Sequence, residues 1–480
     1  MNRHAFRFLM LVTAVTVVAV IAHAESGRAP IPSEQRGSRR APTFAETVAP
    51  ILYDNCVSCH RAGEAAPFPL VTYEEVVKRA KLIAEVTESK YMPPWHAEHG
   101  YGQFVGERGL TAQQIKIIGD WIGAGMPRGD LRRLPKPPSF TDGWQLGTPD
   151  LILEMPAPFE VPADGPDIYR NFVLPTGLTE DRWIRAVEFR PAARKVVHHA
   201  LFQFARGGGL AKSDGADGRP GFRGLTPIPF FPGLAPAGEL GGWTVGATPR
   251  FLPEGLARLL PKGSDLVLQL HLHPTGKVER ERSTVGLYFA DRPSERRIMT
   301  PAVPGLFGLL AKIDIPPGEK EYTITGRYNL LVDMHAISVD AHAHYLGKEM
   351  KATATLPDGG TVPLLWIRDW DFNWQDRYIY REPVALPKGT RIDVTITYDN
   401  SSDNPRNPHQ PPQRVTWGVQ STDEMGVVRF EMIADRLEDE AVLQQAGVAA
   451  VKAALAQLAK DGTLKRYLEQ SQRVGADKDK

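Results

Sequence analysis

Apolar positions recur at helical spacing early in the chain and at alternate positions farther on. Phe44, Val48, Ile51 and Leu52 lie three and four apart and predict a helix running into Cys56. Thr72-Tyr73-Glu74-Glu75 reads as a capping box ahead of Val76, Val77, Ala80 and Ile83. Thr111-Ala112-Gln113-Gln114 reads as another, ahead of Ile115, Ile118 and Ile122, with Gly125, Pro127 and Gly129 ending that helix. From residue 149 the texture changes. Short apolar runs alternate with Pro, Gly and Asp turns, which predicts antiparallel sandwich rather than helix bundle. In residues 265–273, Leu266, Leu268, Leu270 and Leu272 alternate with Val267, Gln269, His271 and His273. A period of two sends the leucines into a core and both histidines to the opposite face. From Leu437 the chain turns Ala- and Leu-rich and predicts one or two terminal helices with a charged tail.

These patterns divide the chain into a small all-α domain at 43–129, a Pro- and Lys/Arg-rich semi-rigid linker at 130–148, two all-β domains at 149–305 and 306–436, and a helical tail at 437–480. Residues 1–24 read as a cleaved signal peptide, with Arg3 and Arg7, an apolar run at 8–21 and Ala22-His23-Ala24 before Glu25. A polar tether follows at 25–42. The apolar run is shorter than the ~20 residues of a membrane span, an uncleaved anchor being the alternative, and no later segment is expected to span. The 57 basic and 56 acidic residues leave a net charge of +1, which argues against a nucleic-acid or anionic-membrane surface.

Both cysteines of the chain sit in Cys56-Val57-Ser58-Cys59-His60. C-x-x-C-H is the attachment sequence of c-type haem: two thiols add to the porphyrin vinyl groups and the histidine reaches the iron. Zinc would need two further ligands, and there is no second C-x-x-C. Haem attachment and signal peptide agree on a periplasmic or secreted protein. The expected sixth iron ligand is Met92, in Tyr91-Met92-Pro93-Pro94-Trp95, with His96 or His99 as alternatives.

The all-β region holds the other candidate ligands. His198 and His199 are adjacent, so a strand must twist or bulge for both to reach one metal. His271 shares a strand face with His273, and His342-Ala343-His344 places two imidazoles side by side as a chelate for copper, zinc or iron. Met425 lies in Ser421-Thr422-Asp423-Glu424-Met425-Gly426. Imidazoles with a thioether suit copper, because both stabilise Cu(I). Each residue alone also reads as packing or a solvated surface.

The order HH, Q-L-H-L-H, H-A-H-Y-L-G-K and S-T-D-E-M resembles the copper type II, ascorbate-dependent monooxygenases, the family of peptidylglycine α-hydroxylating and dopamine β-monooxygenases, over roughly residues 149–432. The resemblance implies two jelly-roll-like β-sandwich subdomains, with two coppers facing across a solvent cleft. His198, His199 and His271 would hold an electron-transfer copper, and His342, His344 and Met425 a catalytic one. His273 would stand behind His271. Helix, haem motif, helix, loop, helix resembles a class I cytochrome c domain. The chain departs from the animal enzymes in having no cysteine for disulfides. It carries Asp340 where the peptide-amidating branch has arginine, and Val427 and Arg429 where that branch has Asn and Tyr. Asp340 there suits a cationic amine or polyol, or else a structural hydrogen bond.

The expectation is an exported copper-dependent monooxygenase. It would hydroxylate a C–H bond of a small organic substrate with O2, using one covalent haem c and two coppers. Electrons would come from a periplasmic donor or an ascorbate-like reductant through the fused haem, the chemistry being metal-centred with no protein nucleophile. The alternatives are a non-catalytic haem/copper electron-transfer or copper-handling protein, and a structural module with incidental histidines. A copper nitrite reductase would need a cysteine ligand, and none is free.

Overall fold

A computed structural model describes residues 41–463 apart from 65, 142, 207, 209, 224–237 and 419. The signal peptide, nearly all of the tether and the end of the tail lie outside the described residues. The molecule is mostly β-sheet, with a few helices at its start and one long helix near its end.

The helical spacing around Phe44 produces a wide first turn, Phe44–Val48, continued by α1 (Ala49–Asn55), with Cys56 at its C-terminal cap. Both expected capping boxes form. Thr72 and Glu75 close one at the start of α2 (Tyr73–Val77), and Thr111 and Gln114 the other at α4 (Ala112–Gly123). Each satisfies two backbone N–H groups that a helix start otherwise leaves unpaired. Between them, α3 (Ala80–Glu88) begins after a break at Arg79. Phe44, Leu52, Val76, Ile118 and Trp121 close a small core.

The β region forms two pairs of antiparallel layers. In the first pair, a five-stranded sheet runs Phe222–Arg223, Ile168–Pro175, Ser264–Leu272, Val197–Arg206, Gly238–Thr244. It shares one core with a four-stranded sheet of Leu151–Glu154, Thr284–Phe289, Arg182–Arg190 and Arg258–Leu260. Leu266, Leu268, Leu270 and Leu272 all enter that core, as their alternation requires. The second pair joins Ala302–Val303, Gly426–Ala434, Met334–Ala343 and Arg377–Leu386 to Tyr322–Asn329, Arg391–Tyr398, Gly347–Thr355 and Thr361–Ile367. The chain enters this pair at Met299, which bridges to Met432.

From Pro42 on the chain is one unit. The segment between α3 and α4 joins the helical region to the second pair of layers. Ala97 bridges Ile367, Phe104 bridges Tyr380, and Val105 N–H donates to the Ile379 carbonyl. Phe104 is only 2% exposed in the β core, a burial worth roughly 1.5–3 kcal/mol. The linker is also pinned, since both oxygens of Glu188 accept the N–H groups of Gln145 and Leu146. The expected semi-rigid tether is therefore not what sets the placement of the helical region. Backbone pairing and a buried ring set it.

The tail forms α5 (Asp439–Lys460). Against the expectation that no later segment is long enough to span a membrane, α5 is long and apolar enough by length and composition. The residue-by-residue pattern hid this, because its apolarity comes from alanines rather than from a run of large side chains.

Candidate functional site

Cys56, Cys59 and His60 follow α1 directly. The His60 N–H and the Cys59 N–H both donate to the Cys56 carbonyl, folding the motif into a tight turn. His60 Nδ1 lies 2.9 Å from the Phe68 carbonyl oxygen. That contact makes Nδ1 the protonated nitrogen and leaves Nε2 as the ligating one, which fits a haem iron. Burial pushes the Cys56 thiol up to about 12, reinforced by Cys59. Gly246 has φ +83, and a Cβ there would stand 3.2 Å from Cys59 Sγ. A loop of the β region therefore lies directly against the motif.

The residues offered as sixth ligand stand in different surroundings. His99 Nδ1 is in contact with the Glu107 carboxylate. His96 is half-buried, its Nε2 buried without a partner, and its charged neighbours Asp371 and Asp369 belong to the β region. Met92 follows α3, with its N–H on the Val86 carbonyl.

His198 and His199 meet the requirement their adjacency imposed. The pairing of Val197–Arg206 with Ser264–Leu272 shifts register between Val197 and His199. Such a bulge re-aims one of two neighbouring side chains. One ligand atom from each of His198, His199 and His271 then falls within 4.8 Å of the others. Nδ1 of His199 and Nδ1 of His271 are 3.1 Å apart, and Nδ1 of His198 is buried without a partner. Three imidazoles brought this close together can offer one ring nitrogen each to a soft or borderline metal ion. Burial pushes His198 down to about 4, aided by His271, and holds His199 well below its ordinary value. Both are neutral imidazoles at neutral pH, the form a metal needs.

His271, which the alternation left open as satisfied or exposed, is 1% exposed. The alternation set its face correctly, but Tyr169 stacks on it at 4.4 Å and Phe372 from the second pair of layers covers it. Asp167, which sequence reading missed, receives His271 Nε2 at 2.6 Å and His273 Nδ1 at 2.7 Å. Burial opposes ionisation of this carboxylate, but the two histidines overcome it and hold it at about 2. His273 thus acts on His271 through a shared carboxylate. Asp167→Asn is expected to weaken metal binding by the three histidines ten- to hundredfold, as removal of outer partners typically does. A chelator competition titration checks this.

His342 and His344 stand with ring centroids 5.2 Å apart and planes at 89°. His342 Nδ1 meets Gln375 Oε1 at 2.6 Å, and His344 Nδ1 meets the Asp423 carbonyl at 3.1 Å. Both rings are left with Nε2 to offer. Burial pushes His342 down to about 4 and His344 to about 3. Met425 lines the same cavity as both. Its N–H and the N–H groups of His344 and Leu346 all donate to the carboxyl oxygens of buried Glu424, which burial pushes up to about 8. The Met425 carbonyl accepts the Tyr398 hydroxyl at 2.9 Å. That hydroxyl occupies the place of a Gly426 side chain, 2.0 Å from where a Cβ would sit. Leu306 and Phe307 adopt left-handed backbone, with φ 57 and 53, beside His342. Such conformations cost of order 1–3 kcal/mol each and cluster at functional sites.

One cavity of about 1980 Å³ is lined by His199, His342, His344 and Met425, by Ser58 of the C-x-x-C-H motif, and by Arg61 just after it. Phe372 lies against both groups, 6.4 Å from His271 and 5.7 Å from His344 between ring centroids. Phe372 thus has one imidazole of each group as a neighbour. Asp340 is paired with Arg429 at 2.8 Å, so its charge is not free for a cationic substrate. Arg258, Arg377 and Ser338 surround Glu431 on the same wall.

No family model and no curated protein matches this chain. Among solved structures it is similar to the VP2 subviral particle of infectious bursal disease virus, at 12% identity over 59% of this chain and 77% of that one, with a TM-score of 0.16. It is also similar to PNGF-II, at 10% identity over 59% and 60%, with a TM-score of 0.20. At these TM-scores neither likeness carries an argument about architecture or activity.

Proposed function

We propose that this chain is an exported haem- and copper-containing monooxygenase that hydroxylates a C–H bond of a small organic substrate. In this reading residues 43–129 are a class I cytochrome c-like domain, and 149–305 and 306–436 are copper-monooxygenase-like sandwiches with a jelly-roll-like path. Cys56, Cys59, His60 and Met92 hold haem c. His198, His199 and His271 hold one copper; His342, His344 and Met425 hold the other. Bound haem would supply single electrons from a periplasmic donor or an ascorbate-like reductant, and bound copper would activate O2.

The observation that carries the reading is one cavity lined by His199 of the first histidine group, by His342, His344 and Met425 of the second, and by Ser58 of the C-x-x-C-H motif. The residues have separable tasks. Gln375 and the Asp423 carbonyl hold the protons on His342 and His344 at Nδ1. Asp167 does so for His271 at Nε2. Tyr169 and Phe372 keep water from the imidazoles they cover. The pairing of Asp340 with Arg429 supports a neutral substrate over a cationic amine.

The test is O2 uptake by the protein loaded with haem and copper, given reductant and a panel of phenols, sugars and amines. The expected result is substrate-dependent uptake, with one atom of labelled O2 appearing in the product. Two coppers per haem without O2 consumption would instead establish a non-catalytic electron-transfer protein.

A further inference from the structure

The turn Phe372–Asp376 touches both histidine groups. Phe372 lies against His271 and His344, Trp374 is 6.0 Å from His198 between ring centroids, and Gln375 holds His342. The turn is tied internally, with Gln375 Nε2 donating to the Phe372 carbonyl at 3.0 Å and Asp371 capping the N–H of Asn373. Its far end is anchored from outside the β region. Asp376 Oδ2 accepts Arg108 Nη2 at 2.5 Å, and Arg108 Nε donates to the Pro94 carbonyl at 3.0 Å. Both ends of that ion pair are largely buried, so it is screened less than a surface pair. Asp376 also faces Thr244, whose strand partner is His199.

We propose that Gln375 is a positioning residue for His342 and that Arg108, contributed by the helical region, is its anchor. The inference rests on the reading of His342, His344 and Met425 as a copper group. The Gln375 amide oxygen fixes the Nδ1–H tautomer of His342 and turns Nε2 toward the metal. Gln375 can hold that position because the next residue is clamped by a guanidinium that cannot lose its charge. The helical region is thereby a structural part of the second histidine group, and the C-x-x-C-H motif is carried by the same region.

The test is Cu(I) affinity, measured by competition with a chromophoric chelator on the full chain in a His198→Ala/His199→Ala background, which leaves the first group a single imidazole and the second group to be read. Gln375→Leu is expected to weaken Cu(I) binding ten- to hundredfold, and Gln375→Glu, which keeps an acceptor, to recover most of the loss. Arg108→Met and Asp376→Asn should each weaken binding in the same direction. Combining Arg108→Met with Gln375→Leu should add nothing to Gln375→Leu alone, because the two act through one chain of contacts. Unchanged affinity in a natively folded Arg108→Met or Asp376→Asn protein, or fully additive losses, overturns the proposal. Asp376→Asn decides the matter if Arg108→Met does not fold. A protein that binds no Cu(I) before any anchor substitution overturns this proposal and the metal reading together. One that binds Cu(I) but consumes no O2 overturns only the enzymatic reading.

Discussion

Replacing His342 by alanine is expected to abolish substrate-dependent O2 uptake while leaving the haem absorption spectrum unchanged. His342 is one of two imidazoles whose Nδ1 is already engaged and whose Nε2 remains to bind a metal. Loss of a ligand should exceed the ten- to hundredfold effect of losing an outer partner, so a fall of at least about a hundredfold is expected. The spectrum is the control because His60 is held by Phe68 and Leu70 in the helical region. Oxygen-electrode traces and optical spectra of the same preparation check both halves. Unaltered turnover would sink the assignment of His342 to a catalytic metal.

Replacing Glu424 by alanine is expected to destabilise the fold by at least about 3 kcal/mol, at roughly 1–3 kcal/mol for each buried donor left without an acceptor. Glu424 is 0% exposed and accepts the N–H groups of His344, Leu346 and Met425. Those donors belong to the two segments that carry one histidine and the methionine of the second group. The same substitution should therefore weaken copper binding as well as stability. Glu424→Gln preserves the shape but presents an amide N–H₂ where donors converge, and should cost less than alanine. Urea unfolding of the metal-free protein, with chelator competition on the folded fraction, measures the two effects separately. Wild-type stability in Glu424→Ala would show that the segments are held by other contacts.

Local features were legible because their geometry is set within a few residues. A capping box spans four positions, and both formed as read at Thr72 and Thr111. The leucines of 265–273 went to the core because a pleat alternates regardless of what surrounds it. His198-His199 was legible only as a condition, that the strand must bulge. Whether it bulges depends on the register of a strand some seventy residues away. The residues missed were Asp167, Phe372, Gln375, Glu424 and Arg108. Their contacts with the candidate ligands, or with one another, cross between strands, between layers or from helical region to sheet. An aspartate or glutamine in a turn carries no local mark of such a partner.

The sequence by itself determined the C-x-x-C-H turn, the helix starts, the strand faces of the histidines and the imidazole–thioether character of the candidate ligands. These follow from covalent spacing and from the periods of helix and strand. Only the tertiary structure decided which histidines meet, that His271 is buried rather than solvated, and that Asp340 is spent on Arg429. It also decided that the helical region is fastened through Phe104 and Arg108 rather than swinging on its linker. The physical reason is that burial and pairing are properties of two surfaces brought together, and each surface carries only its own half of the pattern.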